Sequence, residues 1–134
     1  MQIKENIENL PAHFKIEKKA LDLHRITKWC ELKDLTNEEL NQIARQGFSS
    51  KNNLEKLRAI ALFICELKIP MHEASILIHS GISTIDSLAR SSPQSILNRT
   101  GRLERQLQTK RESIFNLVKA SQIIKLAESR QKQK

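Results

Sequence analysis

Apolar residues recur at helical spacing along most of the chain, and few residues interrupt them. From Asn52 to Lys68, Leu54, Leu57, Ile60, Ala61 and Ile64 fall on one helix face, while Leu62, Phe63 and Cys65 make the second half apolar almost all round. This segment is the predicted centre of the core. Before it, a helix is predicted from about Pro11 to His24, with Pro11 in the first turn, where its missing N–H costs nothing. Thr36-Asn37-Glu38-Glu39 is a capping box that opens a helix to about Arg45, and Gly47 closes it. Pro70 restarts a helix carrying Ala74, Leu77 and Ile78, which stops at Gly81, a left-handed cap. Ser83 and Ser92-Pro93 open two short helices. A last helix, from about Thr109 to Glu128, presents Ile114, Leu117, Val118 and Ile124 on one stripe, with Ala120, Ile123 and Ala127 beside it.

The chain also matches itself. A shift of 56 residues places Ile26 on Ile82, Thr27 on Ser83, Trp29 on Ile85, Leu32 on Leu88, Thr36 on Ser92 and Leu40 on Ile96. One further residue of shift sets Leu57 on Ile114, Ile60 on Leu117 and Ala61 on Val118. The expectation is two copies of one helical module, residues 1–68 and 69–129, followed by a frayed basic tail at 130–134.

Composition narrows the class. With 134 residues the chain is long enough for one core or two small fused ones. Gly 3 and Pro 3 cannot supply the turns of an all-β fold, so an all-α protein is expected. The five aromatic residues, Phe14, Trp29, Phe48, Phe63 and Phe115, stand at positions that also read as core. Charge is unevenly spread: residues 1–89 hold 12 Lys/Arg and 12 Asp/Glu, whereas residues 90–134 hold 11 against 3, so the excess of +8 falls in the last third. That asymmetry suits a phosphate backbone, an anionic membrane surface or an acidic protein partner. The longest unbroken apolar run, Ala59 to Cys65, is far short of the ~20 residues needed to cross a bilayer. No span is expected, and no membrane-surface binding either, because the apolar face opposite the lysines is needed for the core. Two cysteines without a secretory leader point to a reducing, cytoplasmic setting.

The segment Gly81-Ile82-Ser83-Thr84-Ile85-Asp86-Ser87-Leu88-Ala89, followed by Ser91-Ser92-Pro93-Gln94-Ser95-Ile96-Leu97, is similar to the paired stretches of tandem helix-hairpin-helix domains. The C-terminal domain of the bacterial RNA polymerase alpha subunit is one of these. Over its length the chain resembles the cyanobacterial-type proteins grouped as domain of unknown function 4332. Asn53-Leu54-Glu55-Lys56-Leu57-Arg58-Ala59-Ile60-Ala61, Ile78-His79-Ser80-Gly81-Ile82-Ser83-Thr84 and Thr100-Gly101-Arg102-Leu103-Glu104-Arg105-Gln106-Leu107 carry the likeness. It implies two tandem helix-hairpin-helix, SAM-like modules and brings no established activity. DNA-binding hairpins use two glycines so that backbone N–H groups can approach a phosphate. Here Gln46-Gly47-Phe48-Ser49 and Thr100-Gly101-Arg102-Leu103 keep one each. Contact is therefore expected through side chains: Lys51, beside Ser49 and Ser50, in the first copy, and Arg99, Arg102, Arg105, Lys110 and Arg111 in the second.

Other chemistry is sparse. His72-Glu73 begins a zinc-protease pattern, but position 76 is Ile76, and His79 lies two turns on, about 10 Å along a helix axis. No metal and no cofactor are expected. His24 and His79 stand at nearly equivalent places and read as capping or packing residues, and Cys30 and Cys65 as buried structural thiols. With no Walker loop, nucleophile elbow or paired carboxylates, an enzyme is not expected. The functional expectation is a non-catalytic nucleic-acid-binding or nucleic-acid-associated protein that contacts the backbone of duplex DNA or structured RNA. The alternative is a protein-interaction adaptor meeting an acidic partner.

Overall fold

The described residues of the computed structural model are 6, 7, 10–106 and 114–132. Among them are eight α-helices and no strand beyond a single antiparallel bridge between Asn6 and Lys28. The protein is all-α. Its chain divides into two compact units, Met1–Cys65 and Glu66–Lys134.

In the first unit a 3-10 turn, Ala12–Phe14, leads into α1 (Lys15–Leu23), followed by α2 (Trp29–Lys33), α3 (Asn37–Gly47) and α4 (Lys51–Leu67), whose last two residues fall in the second unit. The predicted box at Thr36 forms: Glu39 N–H donates to Thr36 Oγ1 at 3.1 Å, and Thr36 N–H donates back to Glu39 Oε1 at 3.0 Å. Helix α1 packs on α3 at a point only glycine fits, because a Cβ on Gly47 would stand 2.5 Å from Ala20 Cβ. The second unit comprises α5 (Met71–His79), α6 (Ile85–Ala89), α7 (Pro93–Gln106) and α8 (Leu117–Lys132), with α8 on α6 and α7, and α7 on α5.

Adding 56 to the bounds of α1 gives those of α5, and adding 56 to α2 gives α6; α3 and α7 begin 56 apart. The turns recur too. After α1, Arg25 N–H bonds Asp22 O and Ile26 N–H bonds Leu21 O; after α5, Gly81 N–H bonds Ile78 O and Ile82 N–H bonds Leu77 O. Each is a Schellman stop with a left-handed residue, Arg25 at φ 62 and Gly81 at φ 93. Trp29 and Ile85 are both buried, as their matched positions require. The short helix expected to open at Ser83 is capped one residue later, at Thr84, which accepts from Ser87 N–H, and Lys28 stands at the matching place before α2. Ser92 caps α7 as expected, but that helix runs 14 residues and is not short.

The match then changes register. Ser50 caps α4, accepting from Asn53 N–H at 3.2 Å, and Asn116 caps α8, accepting from Lys119 N–H at 2.8 Å. The closing helices are therefore offset by 66 rather than 57 residues. Leu54, Leu57 and Ala61 then correspond to Ala120, Ile123 and Ala127, and all six are buried. Leu117 and Val118, expected in the apolar stripe, are 53% and 67% exposed. A buried carboxylate follows the new register. Glu17 of α1 accepts from Ser50 N–H (2.9 Å) and Asn53 Nδ2 (3.3 Å), while Glu73 of α5 pairs with Lys119 Nζ at 2.7 Å. In both units the first helix thus holds the opening turn of the last one.

Three further expectations are corrected. Thr100-Gly101-Arg102-Leu103 is no turn but lies inside α7, where Ile96, Thr100 and Glu104 form a buried stripe and Thr100 Oγ1 donates to Ile96 O at 2.8 Å. Burial on either side of Gly101 outweighs the ~1 kcal/mol that glycine costs a helix. Phe48, expected in the core, is 92% exposed and left-handed at φ 51. Helix α8 continues to Lys132, so Arg130 to Lys132 are helical rather than a frayed tail.

Candidate nucleic-acid interface

Arg99 and Arg102 sit three residues apart on α7, one turn apart on the same face, and both are exposed. Helix α7 packs on α5, and this brings the two arginines to the end of α5. There they line a cavity of about 140 Å³ together with His79, Ser80 and Leu103. The Schellman turn shapes its rim: Gly81 has no Cβ, and Arg99 Nη1 stands 3.9 Å from where one would be.

The polar groups of the cleft are held from behind. His79 Nδ1 lies 2.8 Å from Ser75 O, and since a carbonyl can only accept, Nδ1 carries the proton. His24 Nδ1 meets Ala20 O in the same way at 3.0 Å, so both histidines cap the end of their own helix as expected. Ser80 Oγ is buried with no hydrogen-bond partner among the described residues. Two guanidiniums and a hydroxyl beside a space of this size have the charge and donor chemistry that an oxyanion such as a phosphate oxygen requires.

The other expected contacts are distributed differently. Arg105 continues α7, and its side chain lies outside the described residues, as do Lys110 and Arg111 entirely. Lys51 opens α4 in the first unit, exposed, with Nζ 3.9 Å from Glu55 Oε1, a surface pair too loose to hold it in place. Two further cations of the basic third are engaged within their own unit: Lys119 with Glu73, and Arg130 with Glu66. His79 and Ser80 were not among the expected contacts, although they directly precede Gly81 in the stretch that carries the family likeness. The signal was the arginine pair at i, i+3 one helix away, which has meaning only once α7 is known to pack on α5.

No cluster of three or more His, Cys, Asp and Glu residues able to hold a metal ion occurs among the described residues, and no helix among them is long and apolar enough to cross a membrane. Fold and cleft together define a small all-α protein with a cationic, anion-sized recess beside a helix-terminating turn. The chain belongs to the family described as Domain of unknown function (DUF4332), whose model matches residues 11–130. Comparison with curated proteins and with solved structures gives no match.

Proposed function

We propose that the protein is a non-catalytic, cytoplasmic nucleic-acid-binding accessory protein built from two tandem helix-hairpin-helix-like modules. Its second module receives a backbone phosphate of duplex DNA or structured RNA in the recess between Arg99, Arg102, His79 and Ser80. The observation that carries this reading is the convergence of both arginines on the Ser80-Gly81 turn. Charge supports it: Glu66–Lys134 contains 12 Lys/Arg against 6 Asp/Glu, a net +6, while Met1–Cys65 contains 11 against 9, a net +2. Phosphate contact of this kind is indifferent to sequence and weakened by salt.

The test is binding to a duplex over a range of salt. The log–log slope should lie near −3 to −5, as for roughly four to five neutralised phosphates, and Arg99→Gln with Arg102→Gln should lower its magnitude by about two. Absence of binding to DNA and RNA at micromolar protein and ~50 mM salt overturns the reading. Phe48 supports a second one. An aromatic ring 92% exposed, in a left-handed conformation at the tip of the α3–α4 turn, is costly for the folded chain alone and suits an adaptor contact with a protein. Phe48→Ser should then abolish capture of that partner while leaving duplex affinity unchanged.

A further inference from the structure

Cys30 and Cys65 lie 35 residues apart in sequence, yet their Sγ atoms are 2.6 Å apart within the first unit, one on α2 and the other in the last turn of α4. The two sulfurs are therefore in direct contact, about 0.6 Å beyond the ~2.05 Å length of a disulfide bond. Both side chains are part-buried, neither sealed in the core nor freely mobile. Their surroundings fix them: Trp29 and Leu32 anchor α2 in the core, and Ile60, Ala61 and Ile64 anchor α4. Two turns before Cys65, Arg58 already ties α4 to the segment beyond α2, donating to Leu35 O at 3.0 Å and to Asn37 Oδ1 at 2.7 Å.

From this geometry we infer that Cys30 and Cys65 form a reversible redox site, a dithiol that closes to an intramolecular disulfide by exchange with a small disulfide such as oxidised glutathione. One thiolate attacks a sulfur of the glutathione disulfide, its S–S bond breaks, and one glutathione leaves as thiolate. The second cysteine thiolate then attacks the protein sulfur of the mixed disulfide and expels the second glutathione. The protein is oxidised by two electrons, the small disulfide is reduced by two, and the two thiol protons end on the two glutathiones. Closure staples α2 to α4 at a second point beyond the Arg58 contacts. This site is independent of the phosphate recess, which lies in the other unit.

The experiment uses the full chain with oxidised glutathione, quenched by an alkylating agent and weighed intact. In the native state the product should be the chain less two hydrogens, unalkylated and monomeric. Its ratio to glutathione adducts should be at least about tenfold higher than in denaturant, where the native proximity is lost. The oxidised chain should melt roughly 5–15 °C higher, reversed by dithiothreitol, because the bond closes a long loop of the unfolded chain. Cys30→Ser should instead keep a single glutathione on Cys65. Two stable adducts per native chain, dimers linked between chains, or no reaction of the native protein each overturn the proposal.

Discussion

At Gly47 the physical role differs from the one its sequence position suggests. A glycine at the end of an amphipathic run reads as a stop, and α3 does end there. What the residue supplies is the missing Cβ against Ala20, with the left-handed turn taken by the next residue, Phe48. Alanine is favoured over glycine in a helix by roughly 0.5–1 kcal/mol, but a Cβ 2.5 Å from that of Ala20 forces α1 and α3 apart. Gly47→Ala should therefore lower stability by about 1–2 kcal/mol, read as a smaller urea midpoint; a more stable variant would show that the two helices give way easily. Phe48 could not be read from the sequence for a related reason. Hydrophobic pattern assigns an aromatic residue to the core, whereas the αL position after α3 turns it outward, and only the packing of α1 on α3 sets that position.

At the scale of the element, local signals sufficed wherever chemistry marked the boundary. Pro11, Thr36, Pro70, Gly81 and Ser92-Pro93 punctuate α1 to α7 close to where the structure does. They failed in two places. Gly101 looks like a turn glycine but is carried through α7 by the buried Ile96-Thr100-Glu104 stripe. The start of α8 was expected near Thr109 because Ile114, Leu117, Val118 and Ile124 make one apolar stripe, with Ala120, Ile123 and Ala127 beside it; the helix starts at Leu117 and buries Ala120, Ile123, Ile124 and Ala127. Asn116 sets that start by capping the helix, which leaves Leu117 and Val118 exposed. Asn116→Ala should cost about 1 kcal/mol, the usual value of a cap. Glu17 is the stronger case, being 3% exposed and accepting both Ser50 N–H and Asn53 Nδ2. Glu17→Ala should cost about 1–2 kcal/mol by leaving Ser50 N–H and Asn53 Nδ2, part-buried at the start of α4, without their acceptor, measured by thermal or urea unfolding.

For the whole molecule, total charge overstates the cations available to a ligand. The last third carries the sequence excess of +8, yet Lys119 and Arg130 neutralise Glu73 and Glu66, which lie earlier in the chain. Folding therefore separates basic residues that composition cannot: Lys119 and Arg130 pair with carboxylates of the second unit, whereas Arg99 and Arg102 face the recess. Removing the chain from Arg130 onward does not isolate a tail effect, because it also removes the Arg130–Glu66 pair and the bond from Gln131 Nε2 to Asp86 Oδ1 at 2.8 Å. Point variants separate the groups by moving different readouts. Lys119→Gln leaves the carboxylate of Glu73, 5% exposed, without its ammonium, and should cost about 1–3 kcal/mol. That is below the value for a fully buried pair because the lysine side chain is itself 38% exposed. It should leave the salt slope of duplex binding unchanged at temperatures where the variant is folded. Arg99→Gln with Arg102→Gln should do the reverse, flattening the slope by about two with stability preserved, since both side chains are exposed. If Lys119→Gln flattens the slope as strongly as the arginine pair, binding follows the net charge of the unit, and the recess is not where phosphate is held.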